Sequence, residues 1–99
     1  MLLIIGTVRI PPGTIDRARP AMERMIAATR AEDGCLDYSY AEDVAEPGRI
    51  HVIERWRDRA ALERHFTAAH IKEWRADWPR LGITDRDLKL YEASEPTEV

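Results

Sequence analysis

Residues 49–74, RIHVIERWRDRAALERHFTAAHIKEW, change hydrophobic period in mid-run. From Ile50 the chain alternates, with Ile50, Val52, Glu54 and Trp56 on one face and His51, Ile53, Arg55 and Arg57 on the other. That is the pattern of a strand. Asp58 then offers a carboxylate to cap a helix, and Arg59-Ala60-Ala61-Leu62-Glu63-Arg64 is strong helix-forming sequence. The densest set of chemically capable side chains lies here, so a site must use this strand, this helix, or the space between them.

The rest of the chain supplies partners for this unit. Residues 2–10 are rich in Ile, Leu and Val and read as a buried strand, ended by Pro11-Pro12-Gly13. From Thr14, placed as an N-cap, Ile15, Ala18, Met22, Met25, Ile26 and Thr29 recur at helical spacing to about Glu32, with Gly34 as the stop. Pro20 falls inside that stripe and predicts a kink. Residues 35–44 form a second strand with Leu36, Tyr38, Tyr40 and Val44 on one side, and the turn Glu46-Pro47-Gly48 leads into residues 49–57. The helix from Asp58 runs to about Ala69 and continues or restarts through Trp78, where Pro79-Arg80-Leu81-Gly82 breaks it. Leu88–Ala93 is a short last strand, so residues 1–93 make one domain and 94–99 a polar tail.

The order β-α-β-β-α-β predicts an α+β fold, ferredoxin-like: a four-stranded antiparallel sheet with both helices on one face. The other sheet face is then uncovered, and in a chain of 99 residues it is most simply buried against a second copy, giving a homodimer. A net charge of −3 gives no electrostatic reason for a nucleic-acid or membrane partner. One cysteine, Cys35, excludes an internal disulfide, and the apolar start lacks a basic leader, which together predict a cytoplasmic protein.

Gly34-Cys35-Leu36-Asp37-Tyr38, then Pro47, Glu54-Arg55-Trp56-Arg57-Asp58, Ala61-Leu62-Glu63-Arg64-His65 and His70 follow one another in an order and spacing that resembles the antibiotic biosynthesis monooxygenase family. The resemblance covers residues 1 to about 93. It implies a dimeric α+β barrel with a pocket between each subunit's sheet and helices. It further implies cofactor-independent oxidation of quinols or anthrone-like aromatics, or, in a neighbouring branch, haem degradation. That branch relies on an asparagine on the first strand; this chain contains no asparagine, and Thr7 is the only polar uncharged side chain there.

Dioxygen reacts slowly with closed-shell molecules, so an oxygenase without flavin or metal needs a substrate made electron-rich by deprotonation. The site must supply an apolar pocket, a base, and donors for the resulting anion. His70 is the first candidate base, one turn from Phe66 and from Trp74 on a continuous helix; it could equally cap the helix end. His65 is the second, or packs against Leu62 and Ala69. Tyr38, Tyr40, Trp56, Phe66 and Trp74 are candidate aromatic walls for a small aromatic substrate, each of them also a reasonable core residue. Glu54 on an apolar face must be paired, an arginine being the expected partner, or functional. Arg86 and Tyr91 are weaker candidates.

His65 and His70 are five apart, about 140° around a continuous helix, which argues against a metal site on that pair. Ser39 and Ser94 lie in no nucleophile elbow, and no glycine-rich loop opens a helix. The sequence thus predicts no cofactor. The alternative is a binding module for aromatic ligands on the same fold, without chemistry.

Overall fold

The alternation of residues 2–9 and 49–56 becomes the centre of the sheet in a computed structural model that describes residues 1–99. The elements are β1 (Leu2–Arg9), α1 (Ile15–Arg30), β2 (Cys35–Glu42), β3 (Arg49–Trp56), α2 (Arg59–Phe66), α3 (Ala69–Leu81) and β4 (Thr84–Glu92). The sheet order is β2-β3-β1-β4, antiparallel throughout. Ile4 stands opposite Glu54 and Leu90, and Glu54 opposite Tyr38, so these four share a face. Leu2, Ile4 and Val8 of β1 and Ile50, Val52 and Trp56 of β3 bury that face under Ala18, Met22 and Met25 of α1 and Ile71, Trp74 and Leu81 of α3. The ferredoxin-like plan holds, with three helices where two were expected. No helix is long and apolar enough to cross a membrane.

The second helical region is interrupted. Thr67 leaves the helix at φ −102° and ψ 0°, its hydroxyl donating to the Arg64 carbonyl at 3.1 Å, and Ala68 is extended at φ −68° and ψ 143°. A fresh helix then begins at Ala69. Asp58 caps α2 as expected, accepting from the Ala61 amide at 2.9 Å. Thr14 does not cap α1; its hydroxyl donates backwards to the Pro11 carbonyl at 2.6 Å.

Three further boundaries differ from the sequence reading. Pro79 lies inside α3, which ends two residues later where Gly82 adopts φ +75°. Close to a C-terminus one missing amide is tolerated, and the left-handed glycine is the real stop. β2 ends at Glu42, and a register shift between Cys35 and Asp37 leaves Leu36 exposed although Tyr38 is buried. β4 starts at Thr84, four residues early, because an exposed edge strand needs no apolar alternation to pair with β1. Pro20 sits within an otherwise continuous α1.

Gly6 permits the β1–β4 pairing. A side chain there would meet the backbone carbonyl of Asp87. The sheet face away from the helices is bare, and Ile5 and Ile53, directly paired across it, are 44% and 45% exposed.

Candidate active site

The end of α2 brings His65 under the sheet. It is 3% exposed, with its ring centroid 4.6 Å from that of Trp56, 5.5 Å from Tyr38 and 6.0 Å from Phe66. Its Nδ1 lies 2.7 Å from Oε2 of Glu32, just past the end of α1. A carboxylate can only accept, so Nδ1 carries the proton in this pair and Nε2 is left as the basic nitrogen. Burial pushes the imidazole below its usual pKa, and the Glu32 carboxylate partly offsets that.

A cavity of about 20 Å³ lies between the sheet and the paired helices α2 and α3. Seven of the residues singled out in the sequence border it: Tyr38, Tyr40, Glu54, His65, Phe66, Trp74 and the weaker candidate Arg86. The space holds about one water molecule. The phenolic groups of Tyr38 and Tyr40 are 3.5 Å apart, and Trp74 Nε1–H donates to the Tyr40 hydroxyl at 3.3 Å. Burial raises both phenol pKa values, keeping them as neutral donors.

Glu54 is 4% exposed, and the arginine partner expected for it is not the one it has. Its hydrogen-bond donor is Trp56 Nε1–H at 2.9 Å, two residues along the same strand face. Burial raises its pKa to about 6, against the opposing pull of that hydrogen bond and of the Arg86 and Arg75 charges. Trp56 therefore serves the site from behind, holding Glu54 and packing on His65.

His70 goes elsewhere. The break at Thr67–Ala68 removes the continuous helix that would have set it between Phe66 and Trp74. Its Nε2 reaches the same Glu32 Oε2 at 2.9 Å, and it borders a separate groove between α1 and α3 with Met25 and Trp74. The geometric objection to the two histidines acting together falls with the continuous helix, since both reach one carboxylate oxygen.

Arg75, Trp78 and Arg86 also border the cavity, with the aliphatic Ile4, Ile71 and Leu88. Arg86 was a weak sequence candidate and Arg75 was not one. Trp78 borders the cavity, and its Nε1–H is buried with no hydrogen-bond partner. The signal for α3 was available: Ile71, Trp74, Arg75 and Trp78 recur at helical spacing. Glu32 had no such signal, because its partners lie 33 and 38 residues away.

The sequence profile of the antibiotic biosynthesis monooxygenase family matches residues 1–77. The chain belongs to that family. A Mycobacterium tuberculosis member provisionally named a monooxygenase, Rv0793, is 38% identical over 65 residues, covering 66% of this chain and 63% of the relative. An uncharacterised protein of Synechocystis is 29% identical over 94 residues, covering 95% of this chain and 64% of the relative. The chain thus spans less than two thirds of the length of these two. The crystal structure of a Deinococcus radiodurans protein, provisionally named an antibiotic biosynthesis monooxygenase, superposes with a TM-score of 0.90 at 28% identity, covering 100% of this chain and 98% of that one.

Proposed function

We propose that the protein is a monooxygenase that oxidises an electron-rich aromatic, a quinol or an anthrone-like compound, with dioxygen and without flavin or metal. The observation that carries the proposal is His65: a buried imidazole fixed through Nδ1 by Glu32, at the wall of a cavity lined by aromatics and a buried carboxylate. Nε2 takes the substrate's acidic proton. Trp78, Arg75 and Arg86, which border the cavity, are the donors we assign to stabilise the enolate or phenolate oxygen. Tyr38, Tyr40, Phe66 and Trp74 hold the ring.

The oxidation balances without a further reductant. The substrate anion gives its electrons to dioxygen. In an anthrone-like substrate one oxygen atom replaces the two methylene hydrogens as a carbonyl oxygen, and the other leaves with them as water. In a quinol one oxygen atom enters a ring C–H as a hydroxyl, the quinol becomes the quinone, and the other leaves with the two hydroxyl hydrogens as water. A cavity the size of one water must open to admit a ring, and Phe66, half exposed at its mouth, is the residue placed to move.

The bare sheet face supports a homodimer, because the exposed Ile5–Ile53 pair, with Tyr91 on the same face, is a patch that a second copy would bury. The single free cysteine supports a cytoplasmic setting. The test is oxygen uptake by metal-free protein with a panel of hydroquinones and anthrones. Uptake above the spontaneous rate, lost in His65→Ala, supports the proposal. Saturable binding with no oxidised product makes the protein a ligand-binding module instead, and a folded His65→Ala variant that keeps full turnover refutes the assigned base.

A further inference from the structure

Glu32, His65 and His70 meet where α1 ends, α2 ends and α3 begins. One oxygen, Oε2 of Glu32, is 2.7 Å from His65 Nδ1 and 2.9 Å from His70 Nε2, and the three atoms all lie within 4.8 Å of one another. The ion partners of this carboxylate are the two histidines alone. The side chains are 15%, 4% and 24% exposed for Glu32, His65 and His70. They are sheltered, yet His70 still borders the open groove of about 220 Å³ between α1 and α3. Glu73, Asp77 and Arg24 border that groove, Asp77 being paired with Arg80 at 3.4 Å.

We infer that Glu32, His65 and His70 bind a divalent transition-metal ion, Zn²⁺ being the best match, at the junction of the three helices. Two imidazoles and one carboxylate are a common donor set for zinc, with bonds of about 2.0–2.2 Å. Donors around a tetrahedral ion at those bond lengths stand about 3.3 Å apart, so the carboxylate oxygen, 2.7 and 2.9 Å from the two ring nitrogens, must draw back by about half an ångström, and the nitrogens, within 4.8 Å of each other, adjust with it. The protein supplies three ligands, and the fourth position is left towards the α1–α3 groove. The helix break at Thr67–Ala68 makes the set, since histidines five apart on one continuous helix would diverge.

Binding has a consequence for the pocket. A metal on Nδ1 leaves Nε2 of His65 as an N–H, so the ring loses its basic nitrogen. That consequence rests on His65 being the base, and the ion then acts as an inhibitor; the metal site itself does not depend on it.

The test is calorimetric titration of chelator-treated protein with Zn²⁺ alone, in a buffer that does not bind zinc. One equivalent should bind the wild type, and His70→Ala and Glu32→Gln should each weaken it by about tenfold or more. The same titration of His51→Ala, which removes the exposed histidine paired with Asp43, should match the wild type. Absence of a one-to-one isotherm, or equal affinity in the folded His70→Ala and Glu32→Gln variants, overturns the site. Because heat of binding is read directly, the result stands whether or not any quinol is turned over.

Discussion

Nδ1 of His65 and Oε2 of Glu32 stand 2.7 Å apart across 33 residues of sequence, and the contact ties the end of α2 to the end of α1. It fixes which nitrogen of the ring is free, and so decides whether the imidazole can act as a base at the cavity.

Replacing Glu32 with alanine should therefore lower kcat for an oxidisable quinol by about 10–100-fold, less than loss of the base itself. KM should change little, because Glu32 positions His65 and does not border the cavity. Steady-state oxygen uptake separates the two constants. A raised KM with unchanged kcat would give Glu32 a binding role instead.

Glu54 makes stability depend on pH. Its folded pKa of about 6 lies above the ordinary 4.5, so the folded state holds the proton more tightly than the unfolded chain. The stabilisation is fully present below about pH 4.5 and is lost as pH rises through about 6. The rise corresponds to about 2 kcal/mol. Glu54→Gln should remove this loss, so urea denaturation at pH 4.5 and pH 7 should show the variant gaining on the wild type by about that amount at the higher pH.

Trp56→Phe keeps a smaller aromatic ring at this buried position and deletes the indole N–H from which Glu54 accepts. A buried carboxylate without its donor costs about 1.5–3 kcal/mol, and the pKa of Glu54 should climb further above 6. Denaturant midpoints and the pH profile of oxygen uptake, followed together, check both effects.

The bare sheet face predicts a self-association that a single charge disrupts. Ile53→Glu places a carboxylate opposite Ile5 on the exposed face, away from the helices. The wild type should elute as a dimer and the variant as a monomer on sizing with light scattering. Equal masses for the two would remove this face as the interface.

The sheet was legible because β1 and β3 alternate in phase, and burying one side of each is the cheapest way to hide Ile4, Val8, Ile50 and Val52. The aromatic wall followed from the same rule, since Tyr38 and Tyr40 lie two apart on one strand. The helix break was legible only as one of two alternatives, a continuation or a restart near Ala69. Phe66-Thr67-Ala68-Ala69 contains neither glycine nor proline, and the turn is held by a threonine hydroxyl and by packing of α3 on α1. His70, placed by the sequence one turn from Phe66 and from Trp74, borders the α1–α3 groove with Trp74, and Glu32 went unnoticed as the partner of both histidines. For Glu54 the sequence showed that a partner was needed; tryptophan supplied it because its indole, two residues on, shares the face.

Oxygen consumption by metal-free wild type and His65→Ala with an anthrone as substrate tests the central claim most directly. The account predicts uptake above the spontaneous rate, with about one dioxygen consumed per carbonyl formed, and a loss of about 10²-fold or more in the variant. Equal rates in the two folded proteins would contradict it.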